Sequence, residues 1–177
     1  MHDPACALLR ECARATGLVV APKEPRGLPG AGRGGGDLLM RGGGSEFPDA
    51  VVDLTFPSVV CASVLPEAAD TKLVAALTAE KSKCEKHGPA TAANNLGFVP
   101  FVVEATGAWG GQAQKLLAKL AERVADEAPA GTTWAAPTFT QYWLQRMAVH
   151  MQRSRMQAVR AIAAKARTAH ERTWMAG

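Results

Sequence analysis

The sequence predicts an α/β fold of the α+β kind, ordered helix, three strands, helix, strand, then further helices. Three observations support it. The chain opens on a capped amphipathic stretch, its short runs rich in valine and phenylalanine are bounded by glycine and proline, and long stretches of helix formers lie between and after them. At 177 residues with 47% apolar content it can bury one core, and a globular domain is expected rather than a disordered chain.

Residues 4–16, "PACALLRECARAT", carry Leu8, Leu9 and Cys12 at helical spacing, with Asp3 as N-cap, Pro4 at the first position and Gly17 at the end. "LVVAPKE" reads as a strand, and "PRGLPGAGRGGG" as a loop. "DLLM" and "AVVDLTF" flank "RGGGSEFPD", the pattern of a hairpin. "PEAADTKLVAALTAEKSKCEKHG" is predicted as one helix, acidic at its start, basic at its end and stopped by Gly88; a wheel places Leu73, Leu77 and Cys84 on its buried stripe. "FVPFVVEATG" is a further strand. "GAWGG" reads as a tight strand-to-helix turn with a packed Trp109. "GGQAQKLLAKLAERVADEA" is a helix with Leu116, Leu120 and Val124 on one stripe, and a last helix runs from about Thr138 to Ala169. A mixed sheet flanked by helices is expected, with residues 1–128 as the core and 129–177 as a basic helical extension on or beside it.

The four cysteines form no CxxC pair and no His/Cys cluster at zinc spacing, and are expected to be free thiols of a reducing, intracellular compartment. No secretory leader and no membrane-spanning run is expected. The Gly-rich runs do not match GxxxxGK[ST], which argues against a phosphate-binding loop. His2, His150 and His170 are scattered and expected to face solvent.

Charge is unevenly placed. The net charge is +4, and from Trp143 onward seven basic residues face Glu171 alone, a net +6, so the preceding 142 residues carry −2. A basic tail on a near-neutral body suits a polyanion. Arg146, Arg153, Arg160 and Arg167 recur every seven residues, and a helix drifts only about 20° per heptad, so all four share one flank. Guanidinium forks at that spacing suit a phosphate backbone. Solvent exposure, or pairing with acids, is the competing account. Trp143, Met147, Met151, Ala158 and Ile162 fall on another side and are expected to pack.

Asp53 poses a sharper question. A carboxylate between Val52 and Leu54 costs free energy unless an arginine, a lysine or a metal ion meets it. Asp37 stands at the mouth of the preceding strand, and neighbouring strands can bring two carboxylates to one point, where oxygen ligands suit Mg²⁺ or Mn²⁺.

The ordered segments "MHDPACALLRECARATGL", "KEPRGLPG", "RGGGDLLM", "VVDLTF", "KCEKHGPATAANNLGFVPFVVEATGAWG" and "YWLQRMAVHMQRSRMQAV" cover nearly the whole chain. Together they resemble the restriction-like (PD-(D/E)XK) endonuclease region of non-LTR retrotransposon proteins, with its pattern RHD, EP, RPADLL, VDVT, KxxK(Y/H), FVP(F/L)xxE and GxWG. The resemblance implies a restriction-endonuclease-like αβββαβ core and a metal-dependent endonuclease that nicks target DNA to prime reverse transcription. It implies Asp37 and Asp53 as metal-binding acids and Mg²⁺ or Mn²⁺ as the ion. Lys83 in "KCEKH" takes the role of catalytic lysine, with Lys86 second and Lys81 as a substitute. Glu24 in "KEP" could reach the metal, whereas Glu104 reads as a structural acid. DNA, a nuclear location and the rest of a retroelement protein as partner follow from the same likeness.

The chain departs from the family at two places. Thr55 stands where many nucleases of this fold carry the lysine, and Arg33 is followed by three glycines instead of proline and alanine, which is expected to loosen the approach to Asp37. Two other classes therefore stand beside the nuclease. One is an inactive remnant that binds nucleic acid through the basic helix; the other is a helical protein-interaction module.

Overall fold

The computed structural model describes residues 2–21, 36–45, 47–127 and 136–175, with the side chains of 125–127, 136–137 and 168–175 set aside. Helix α1 (His2–Arg14) leads into β1 (Val19–Val20), β2 (Leu38–Arg41) and β3 (Ala50–Thr55). Helices α2 (Leu65–Ala68) and α3 (Val74–Ala93) follow, then β4 (Gly97–Val102), α4 (Gly111–Glu127) and α5 (Ala136–Met175). The four strands form one sheet in the order β1-β2-β3-β4. The first two pairings are antiparallel and β3 runs parallel to β4, so the sheet is mixed, as expected.

Strand alternation divides the sheet's two faces. Leu38, Met40, Val52, Leu54, Phe101 and Val103 join one apolar cluster with Leu9 and Cys12 of α1, Leu117 and Leu120 of α4, and Phe139, Trp143, Met147 and Met151 of α5. Each fully buried large side chain in it contributes about 1.5–3 kcal/mol over its exposed state. Helix α3 covers the other face, where the His87 ring lies 5.5 Å from that of Phe98. The first half of α5 therefore completes the main core. Its later turns do not, for at a rise of about 1.5 Å per residue a 40-residue helix runs about 60 Å, longer than the body beneath it. Ala158 and Ile162, expected to pack, are exposed for this reason, Ile162 at 67%.

The segment predicted as one helix is two. Leu73 takes a left-handed φ of 63° and becomes the N-cap of α3, which has no side-chain cap of its own. Glu104, at the end of β4, supplies that cap instead: its Oε1 accepts from the Ala76 N–H at 3.0 Å. Nor does Gly88 stop the helix. Tertiary burial of His87, Ala90 and Thr91 carries α3 through Gly88 and Pro89, against their local preference. It ends at Ala93, and beyond the Asn94 cap Asn95 takes a left-handed φ of 57° while the N–H groups of Leu96 and Asn95 donate to the carbonyls of Thr91 and Ala92.

The β4-to-α4 turn matches expectation, with Trp109 packed edge-on against Phe101 at 5.8 Å. Gly110 gives the turn room for two neighbours. A Cβ there would collide with the Glu80 carboxylate and lie 3.1 Å from the Val102 carbonyl oxygen.

Candidate active site

The β2/β3 hairpin brings the two acids together. Leu38 pairs with Val52, and Asp37, just before β2, donates its N–H to the Val52 carbonyl and accepts from the Leu54 N–H, so it meets the β3 backbone on either side of Asp53. Val52 and Leu54 point into the main cluster, so Asp53 points to the α3 face, 7% exposed. There its Oδ2 lies 2.7 Å from Lys83 Nζ and accepts a longer bond, 3.4 Å, from Thr55 Oγ1. The acid inside the apolar strand is met by a lysine.

Asp37 is firmly held. Its N–H donates to the Val52 carbonyl at 2.9 Å, and its Oδ2 accepts from the Leu54 N–H at 2.6 Å and sits 3.0 Å from His2 Nε2. Gly36 has a φ of 116°, and a Cβ there would strike Val51 Cγ1. Glycine is what lets the chain enter β2 so closely against β3. Arg33, Gly34 and Gly35, where the approach to Asp37 was expected to be loosened, lie outside the described residues, as does Glu24.

Helix α3 turns an unusual face inward. Ala76, Glu80, His87 and Thr91 are buried, while Leu77 is 53% exposed and Cys84 is exposed, so the Leu73, Leu77, Cys84 stripe is not the buried one. Neighbours satisfy most of the polar groups on this buried face. Glu80 Oε1 accepts from the Gln112 N–H at 3.0 Å at the start of α4, Thr91 Oγ1 donates to the His87 carbonyl, and Lys83 meets Asp53. Lys81 and Lys86 are exposed on the same helix.

The electrostatics follow from this crowding. Burial pushes the Asp37 carboxyl above the ordinary carboxylate value; the Leu54 N–H and His2 oppose that shift, and the Asp53 charge adds to it. Burial works against the charged form of His2, but the neighbouring Asp37 and Asp3 carboxylates leave it raised. The Cys6 thiol is pushed up to about 12, by burial first and then by Asp37. His87 is lowered, chiefly by burial, and its Nδ1 has no hydrogen-bond partner among the described residues.

Two carboxylates close enough for the charge of Asp53 to raise the pKa of Asp37 are oxygen donors of the kind a hard divalent cation takes. The Asp37 and Asp53 carboxylates could offer oxygen ligands to Mg²⁺ or Mn²⁺, with Lys83 beside Asp53. His2 does not simply face solvent, since it meets Asp37. Its spacing of four residues from Cys6 on α1 was the available signal. His150 is half-buried beside Ser154 Oγ, 3.2 Å away, and the His170 side chain lies outside those described.

The arginine row divides. Arg146 is engaged with the body: its guanidinium lies 3.1 Å from Glu11 Oε2, and 4.9 Å from the Trp143 ring centroid. Arg153, Arg160 and Arg167 are exposed along the projecting part of α5. Among the described residues no helix is long and apolar enough to cross a membrane. Compared with known protein families, curated proteins and solved structures, the chain matches none.

Proposed function

We propose that this chain is a metal-dependent DNA endonuclease domain of restriction-like fold and retroelement origin, whose task is to nick target DNA for target-primed reverse transcription. The observation that carries the reading is the contact of Lys83 with Asp53, at 2.7 Å, beside the Leu54 N–H from which the Asp37 carboxylate accepts. Two acids and a lysine in one place are what phosphodiester hydrolysis needs from a protein. Asp37 and Asp53 would hold the ion, which when bound supplies Lewis-acid stabilisation of the phosphate and lowers the pKa of a bound water. Lys83 is positioned to exchange part of its contact with Asp53 for a phosphate oxygen or the attacking water. Arg153, Arg160 and Arg167 would follow the duplex backbone without reading sequence. A nuclear location and the remainder of a retroelement protein as partner go with this proposal.

The test is nicking of supercoiled plasmid by the purified chain, in Mg²⁺ and separately in Mn²⁺, with Asp53→Ala and Lys83→Met in parallel. Nicking that both substitutions abolish supports the proposal. DNA binding without nicking in either ion makes the chain an inactive nucleic-acid-binding remnant, and absence of binding favours the helical interaction module.

A further inference from the structure

We propose that His2, Cys6 and Asp37 form a binding site for a thiophilic divalent cation, Zn²⁺ in the first place. One ligand atom from each lies within 4.8 Å of the others. His2 and Cys6 stand four residues apart on α1, hence on one face, and Cys6 Sγ is 3.7 Å from His2 Nδ1 and 3.9 Å from Nε2. Asp37 arrives from the start of β2, its Oδ2 3.0 Å from His2 Nε2. Zinc bonds of about 2.3 Å to sulfur and about 2.0–2.2 Å to nitrogen or oxygen require N···S near 3.5 Å and N···O near 3.3 Å in a tetrahedron. The His2 Nε2 distances of 3.0 Å to Asp37 Oδ2 and 3.9 Å to Cys6 Sγ lie within about half an ångström of those values, and the sulfur and the carboxylate lie within 4.8 Å of each other.

The donor set selects the metal. A thiolate and an imidazole with one carboxylate favour zinc or cobalt over magnesium, which prefers oxygen throughout. Three protein ligands leave a fourth tetrahedral position open. The supporting shell is present, since the Leu54 N–H donates to Asp37 Oδ2 at 2.6 Å and fixes that carboxylate. The His2 side chain is 45% exposed, which opens a path for the ion. Cys12, by contrast, is completely buried among apolar side chains of the core.

This site does not depend on the nuclease reading. It shares Asp37 with the proposed magnesium site but not Asp53, and that difference separates the two in an experiment. The full chain would be titrated with Co²⁺, following the thiolate-to-cobalt charge-transfer band, then with Zn²⁺ to displace it. A band at one equivalent, lost on zinc addition, is expected. Cys6→Ser should abolish it, and His2→Gln should weaken cobalt binding at least tenfold while leaving the fold unchanged by circular dichroism. Asp53→Asn, Cys12→Ser and the Cys61→Ser/Cys84→Ser pair should keep the band. No band in the parent, or a band that survives both Cys6→Ser and His2→Gln, overturns the proposal whatever the plasmid assay shows. Should Cys6→Ser fail to fold, His2→Gln decides the matter, because a half-exposed imidazole can be replaced without opening the core.

Discussion

Replacing Lys83 by methionine isolates the contact on which the candidate site is built. Methionine keeps most of the aliphatic stem that crosses the α3 surface and removes only the charge, leaving Asp53 as a nearly buried carboxylate with a single 3.4 Å bond from Thr55. Breaking a fully buried ion pair costs about 3–5 kcal/mol. Lys83 keeps 29% of its side-chain exposure, so water can enter where the ammonium stood, and the expected loss falls to about 1–3 kcal/mol. For a domain of this size, a urea slope of about 2 kcal/mol per molar turns that into a midpoint shift of about 0.5–1.5 M. The converse change, Asp53→Asn, should cost less, because Lys83 can turn outward to solvent. The double variant should recover at least about 1 kcal/mol of the summed loss. A divalent cation should restore Lys83→Met more than it helps the parent, since no ammonium then competes for Asp53; at ten times its Kd the gain is about 1.4 kcal/mol. Urea unfolding followed by circular dichroism, with and without Mg²⁺, measures all of these. Stability of Lys83→Met within about 0.5 kcal/mol of the parent, in chelator, would show that Lys83 and Asp53 are not paired and would remove the physical basis of the site.

Other substitutions probe the frame and the tail. Glu104→Gln keeps the shape of the acceptor at the start of α3 but removes its charge, and should cost about 0.5–1.5 kcal/mol in the same assay; an unchanged midpoint would mean the cap comes from elsewhere. Gly110→Ala should lose about 1–3 kcal/mol through collision with Glu80 and the Val102 carbonyl, and adding Glu80→Ala should return part of that loss. Because burial lowers His87 in the folded state, the unfolded chain binds the extra proton first. Stability should therefore decline as pH falls below 6.5, and a His87→Phe variant should flatten that part of the pH–stability curve. If the exposed arginines hold duplex DNA, Arg153, Arg160 and Arg167 changed together to glutamine should reduce the slope of log affinity against log salt by about 2–3. Arg146→Gln should instead weaken the α1–α5 contact through Glu11.

Much of the frame was legible in local chemistry. The β2/β3 hairpin, the strand at β4, the amphipathic α4 and the tight turn at Trp109 were each written as a short apolar run, a period or a glycine at a sharp bend. These signals work because one face of each element must be apolar. They fail where burial is polar, and α3 is that case. Its inward face carries Glu80, Lys83, His87 and Thr91, so a wheel drawn from apolar residues chose the wrong stripe and left Leu77 outside. The break at residues 69–73 and the run through Pro89 were illegible for a related reason: Glu104, 28 residues from Ala76, supplies the cap, and packing against β4 outweighs the breakers.

The sequence by itself determined the class of fold, the order of its elements, the concentration of basic charge after Trp143 and the presence of two acids at the head and middle of adjoining strands. Period, turn chemistry and composition are properties of near neighbours in the chain, and near neighbours can be read in order. Only the tertiary structure decided which partners those acids have. It placed Lys83, from another element, on Asp53, set His2 and Cys6 beside Asp37 across 31 or more residues, and withdrew Arg146 from the basic row to Glu11 and Trp143. A charge in a low-dielectric interior takes its partner from whatever the packing of helices and sheet brings within about 3 Å, and no spacing along the chain encodes that distance.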